Sequence, residues 1–128
     1  MRLLLDTHAF LWFVSGNSAL PGRTVKIVGD AKHTTFVSFA SLWEISIKAG
    51  LGKLTLPFGL DELCADQLAL NGFLPLAIGL DHIQAVSRLP HHHGDPFDRL
   101  LVAQCEIERL SLVSRDPAFD AYGIKRVW

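Results

Sequence analysis

Short apolar runs that stop at a polar residue alternate along this chain with stretches of helical period. Leu3-Leu4-Leu5 ends at Asp6, the pattern of a strand buried on both faces. Thr7 to Val14 reads as a helix and Ser15-Gly16-Asn17-Ser18 as a turn. Pro21 to Ala31 forms a second helical stretch, with Val25, Ile27 and Val28 apolar. Thr34-Thr35-Phe36-Val37, β-branched and aromatic, is a strand. Ser38 to Ala49 is the clearest amphipathic helix: Ser38 or Ser41 serves as its cap, Leu42, Ile45 and Ala49 keep helical spacing, and Gly50 is the expected stop. A further helix covers Leu60 to Leu70. Phe73 to Ile78 is a strand that tolerates Pro75 only at an edge or bend. Asp81 to Leu89 and Pro96 to Arg109 are helices, and Leu110 to Ser114 and Ile124 to Trp128 are the closing strands.

Strands separated by helices imply right-handed crossovers and a sheet covered on both faces. The expected class is α/β, a three-layer α/β/α sandwich with a mostly parallel sheet of four or five strands. In such sheets, ligands sit beyond the carboxyl ends of the strands. The chain has 128 residues, 49% hydrophobic and 20% charged, which suits one compact domain over 1–128 and excludes intrinsic disorder. No apolar run approaches the ~18 residues of a membrane span. The opening run meets Asp6 and His8 too soon to be a secretory core. Cys64 and Cys105, both in apolar surroundings, read as small buried hydrophobes of a reducing cytoplasm. A net charge of −1 argues against a protein that coats nucleic acid, while leaving room for a local basic rim.

The candidate chemistry is acidic. Asp6 follows the first strand and Asp116, in Ser114-Arg115-Asp116-Pro117, follows a later one, so parallel strands bring both to one edge. Each is equally read as a helix cap, and two at matching edges favour a site. Glu44 lies among Leu42, Trp43, Ile45 and Ile47; it is either a solvated partner of Lys48 one turn on or an inward carboxylate. In Asp95-Pro96-Phe97-Asp98-Arg99, Asp95 before Pro96 is a helix start, and Asp98 sits in the first turn of a helix apolar on most sides. Asp98 is assigned to the site, with Asp95 a cap or a supporting residue. If Asp6, Glu44, Asp98 and Asp116 converge, a cation or raised pKa values must relieve their repulsion. Oxygen ligands suit Mg²⁺ or Mn²⁺, and the chemistry that follows is phosphodiester hydrolysis.

These residues resemble a known family. Leu3-Leu4-Leu5-Asp6-Thr7-His8, Ser41-Leu42-Trp43-Glu44-Ile45-Ser46-Ile47-Lys48 with Gly52-Lys53-Leu54, Asp95 to Gln104, and Ser114-Arg115-Asp116-Pro117-Ala118-Phe119 with Tyr122-Gly123 are similar to the motifs of PIN-domain ribonucleases, more closely the VapC-type toxins of toxin–antitoxin pairs. The resemblance implies a metal site of Asp6, Glu44, Asp98 and Asp116, with Asp6 and Asp98 the most direct ligands. Either acid of the Asp95–Asp98 segment fits the third acidic role. It further implies cleavage of RNA, a homodimer, and a cognate antitoxin that covers the site.

Around these acids, Thr7, Ser38 and Ser114 are candidates to orient a metal-bound water or to cap helices. Lys48, Lys53, Arg99 and Arg115 are candidates to hold RNA phosphates. His91-His92-His93 reads as a polar loop near the substrate, because consecutive residues do not converge on one ion as spaced ligands do. Two rival functions remain: an aspartyl-nucleophile phosphatase, disfavoured by His8 where that chemistry wants a second acid, and a catalytically silent binding module.

Overall fold

The computed structural model describes residues 1–128. Five parallel strands form one sheet: β1 (Arg2–Leu5), β2 (Thr34–Ser38), β3 (Leu74–Leu76), β4 (Ser111–Val113) and β5 (Arg126–Val127), in the order β3-β2-β1-β4-β5. Helices α1 (Thr7–Ser15), α2 (Gly22–Gly29), α3 (Phe39–Gly50), α4 (60–70), α5 (Leu80–Arg88) and α6 (Pro96–Glu108) link them. This is the expected three-layer α/β/α sandwich.

The alternation of side chains along β1 sorts the layers. Leu3 and Leu5 pack with Phe10 of α1, Val28 of α2 and Leu63 and Leu68 of α4, while Leu4 packs with Ala85 of α5 and Leu101, Val102 and Cys105 of α6. All three leucines are fully buried, as a central strand covered on both faces requires. Pro75 lies in the edge strand β3, paired with Val37, where its missing N–H breaks no inner ladder.

Element bounds depart from expectation where backbone geometry outweighs side-chain pattern. Gly50 is the last residue of α3; the left-handed turn comes two residues later at Gly52, φ 70°. α4 is interrupted by a π-helical turn over Leu63–Gln67, and the six-residue 3₁₀ helix Pro117–Tyr122 was not foreseen. α6 ends on Arg109 at φ 56°, a left-handed residue without the usual glycine signal. Cys105 is buried as expected, while Cys64 is only half-buried. No helix is long and apolar enough to cross a membrane.

Candidate acidic site at the carboxyl edge of the sheet

Strand register assembles the first part of the site. Leu5 pairs with Val37 on one side and Val113 on the other, so Asp6, Ser38 and Ser114 emerge side by side. Asp6 is buried; its backbone N–H donates to the Val113 carbonyl, and its Oδ1 caps α1 by accepting from the Ala9 amide at 2.8 Å. The Ser114 hydroxyl beside Asp6 favours the ionised carboxylate, and its oxygen accepts from the Asp116 amide at 3.1 Å. Glu44 projects inward from α3 and is buried. Thr7 Oγ1 donates to its Oε1 at 2.6 Å, and Lys48 Nζ donates to its Oε2 at 2.7 Å. Glu44 is therefore the inward carboxylate of the two readings; the pairing with Lys48 is also present, but the side chain is buried and not solvated.

α6 supplies the second part. Asp95 accepts from the Phe97 amide at 2.8 Å and the Asp98 amide at 3.3 Å, and Pro96 occupies the first helical position. That cap aims Asp98, one turn in, at the same edge. Burial pushes the Asp98 carboxyl up to about 7, with the charges of Asp95, Asp6 and Glu44 adding to the rise and His93 opposing it. Burial likewise raises Asp6, helped by Glu44 and opposed by Ser114 and the Ala9 amide. These couplings place Asp6, Glu44 and Asp98 in one electrostatic neighbourhood. Replacing Asp95 with Asn keeps a cap of equal strength and removes the largest repelling charge. Asp95→Asn is therefore expected to lower the Asp98 pKa from about 7 without loss of stability, as read by carboxyl ¹³C titration and urea unfolding.

Asp116 joins through a histidine. It caps the 3₁₀ turn by accepting from the Ala118 amide at 2.9 Å, and its Oδ2 lies 3.4 Å from His93 Nε2, which is 3.1 Å from Asp98 Oδ2. Of the three consecutive histidines, only His93 meets the acids, and nothing in their adjacency marks it out. Its signal, if any, was the pairing of a loop histidine with Tyr122, whose hydroxyl accepts from the His93 amide.

Other expected residues stand elsewhere. Ser38 is buried and caps α3 through the Ala40 amide, with no bond to the acids. Lys53 lies exposed on the turn after α3, and exposed Arg115 stacks on Trp12, 5.1 Å from the ring centre. Arg99 corrects the sequence reading: it is buried, and its guanidinium donates to the Pro90, Val86 and Leu89 carbonyls and the Tyr122 hydroxyl. It fastens the loop before α6 and is not available to a phosphate. A helical Arg beside a site acid looks the same in sequence whether it points out or in.

The one group of three potential ligands whose atoms all lie within 4.8 Å of each other is Asp81, His82 and Glu108, not the four acids. Glu108 ends α6 while Asp98 begins it, so about four-fifths of the helix separates the two places. His82 is already committed there, accepting from the Gly79 amide at Nδ1 and meeting Glu108 at Nε2.

The fold has close counterparts. Over 99% of this chain and 98% of the other, it superposes with a TM-score of 0.73 and 13% identity on VapBC2 from Rickettsia felis, solved bound to a DNA fragment from their promoter. DNA-bound VapBC from Salmonella typhimurium gives 0.69 at 13% identity over 99% and 97% of the two chains. FitAcB from Neisseria gonorrhoeae gives 0.65 at 17% identity over 98% and 96%. No curated protein matches the chain in sequence. The family model for the PIN domain matches residues 3–125, nearly the whole chain, and with the parallel sheet and its acid-bearing edge in place the chain belongs to the PIN domain family.

Proposed function

We propose that this protein is a Mg²⁺- or Mn²⁺-dependent endoribonuclease and the toxin of a toxin–antitoxin pair. PIN domains are generally nucleases, and those nucleases typically use divalent metals. The observation that carries the reading is the gathering of acids at one sheet edge, where burial first, and then the charges of Asp95, Asp6 and Glu44, push the Asp98 carboxyl up to about 7. Lys48 is taken by Glu44, and no lysine or arginine pairs with Asp6 or Asp98. An all-oxygen donor set of this kind fits a hard divalent ion. Mg²⁺ commonly keeps several waters and takes one or two carboxylates, so the lack of a tight three-ligand cage among these acids does not count against it.

Asp6 and Asp98 are the direct ligands in this reading, with Glu44 and Asp116 completing the acidic set. When bound, the ion supplies charge stabilisation at the phosphoryl oxygens and an activated water. Thr7 and Lys48 hold the two oxygens of Glu44, and Ser114, beside Asp6, accepts from the amide that starts the Asp116 turn. Lys53 and Arg115 on the rim are the candidates for RNA phosphates. The structural neighbours are toxin–antitoxin complexes, which supports a cognate antitoxin as partner. A homodimer in the cytoplasm completes the proposal.

Titrating Mn²⁺ into purified protein with an RNA substrate tests it. Cleavage is expected to rise with the ion, to vanish on chelation and to be absent in Asp6→Asn. Cleavage that persists with excess chelator overturns the metal mechanism, and release of phosphate from small monoesters in its place would revive the phosphatase.

A further inference from the structure

The loop between α5 and α6 puts one imidazole between two acids of different elements. Asp98 belongs to α6 and Asp116 to the end of β4; apart from His93, no hydrogen bond joins them. His93 Nε2 is 3.1 Å from Asp98 Oδ2 and 3.4 Å from Asp116 Oδ2. On the other side of the ring, the Asp95 amide donates to Nδ1 at 3.1 Å. A backbone N–H can only donate, so Nδ1 is bare and the ring proton sits on Nε2, directed at Asp116 Oδ2 with Asp98 Oδ2 beside it.

The ring is held from several directions. Its backbone N–H donates to the Tyr122 hydroxyl at 2.9 Å, and its face lies on Phe119 with centroids 5.5 Å apart. Tyr122 in turn accepts from Arg99 at 3.2 Å. Asp98 Oδ2 lies 3.1 Å from His93 Nε2, and Oδ1 has no polar partner. In Asp116, Oδ1 is engaged by the Ala118 amide and Oδ2 by His93.

We propose that His93 is a positioning residue of the nuclease: its Nε2, hydrogen-bonded to Asp116 and in close contact with Asp98, holds the two acids in place and sets their separation, so that Asp98 Oδ1 is presented to the ion. The role rests on the reading of this edge as the metal-dependent nuclease site. Partners that orient ligating groups usually change metal affinity or activity by about 10–100-fold when removed. A fixed acid pair also limits the reorganisation needed as charge develops in the reaction.

Two variants separate hydrogen bonding from packing. His93→Phe keeps a ring against Phe119 and removes the polar contacts of both ring nitrogens; His93→Gln retains a carbonyl for the Asp95 amide and an N–H for the acids. Calorimetric Mn²⁺ titration of the RNA-free protein is expected to show affinity about 10-fold or more weaker in His93→Phe and within about 3-fold of wild type in His93→Gln. The kcat for RNA cleavage should fall with the affinity, at saturating Mn²⁺ as well, while KM for RNA moves little. The ¹⁵N spectrum of the wild-type imidazole should show the Nε2–H tautomer. Equal Mn²⁺ affinity and kcat in wild type and His93→Phe overturns the proposal, as do equal losses in both variants or the opposite tautomer. Wild type that neither binds Mn²⁺ nor cleaves RNA overturns the nuclease reading itself, and the role of His93 with it.

Discussion

Asp98→Asn is expected to lose RNA cleavage by about 10³-fold, roughly 4 kcal/mol of barrier, and at the same time to stabilise the metal-free protein above neutral pH. The two effects share one cause. In the folded protein the Asp98 carboxyl is pushed up to about 7 by burial, with further repulsion from Asp95, Asp6 and Glu44, against an unfolded value of 3.8. Between those values the folded state binds a proton that the unfolded state has released, so stability falls as pH rises through the window. Above it the full charge is present. With the side chain 22% exposed, solvent screening brings the penalty to the order of 2 kcal/mol. Asn carries no charge to desolvate, so urea unfolding at pH 8 in chelator should place Asp98→Asn above wild type by about that amount, while the two converge near pH 4. Excess Mg²⁺ should reverse the order, since an ion that binds only the folded wild type stabilises it by mass action. Equal stability at both pH values would show that Asp98 carries no stored repulsion, and unchanged cleavage would move its role to Asp95.

The acids were legible because each ends or begins an element whose period is clear. Asp6 closes an apolar triplet that suits a fully buried strand, and Asp95-Pro96 is a helix start on local grounds alone; parallel topology then supplies the common edge. Even Pro75 was confined to an edge or a bend, and it lies in the edge strand. What stayed hidden depends on where a chain turns back. The 3₁₀ turn Pro117–Tyr122 carries no periodic pattern, yet it positions Phe119 against His93 and Tyr122 under the loop before α6. Trp43 is 60% exposed and meets Phe97 edge-on. The inward direction of Arg99 was unreadable for a chemical reason. Its partners are mostly backbone carbonyls, which every residue possesses, so no side chain in the sequence advertises them.

That buried guanidinium carries the second large expectation. Arg99 is 7% exposed and has no carboxylate partner; its charge is held by three carbonyls and a phenol oxygen. Hydrogen bonds from a charged donor contribute about 1.5–3 kcal/mol each, which offsets the desolvation of the ion only while the set is complete. Arg99→Leu removes the charge along with every donor, leaving the loop carbonyls of Leu89 and Pro90 and the end of α5 at Val86 to find water or go unpaired. The expected loss is about 3 kcal/mol in urea unfolding at neutral pH. Arg99→Lys should recover little of it, because a point ammonium cannot reach acceptors spread around a planar fork. Retention of wild-type stability by the lysine variant would mean that a single contact suffices and the fork geometry is incidental. The same substitutions should reach the acids indirectly. Arg99 shares Tyr122 with the His92 and His93 amides, so its removal frees the segment that carries His93 to Asp98 and Asp116. Cleavage should therefore decline further than the folded fraction does, and the excess measures how far the site depends on a residue that touches none of its acids.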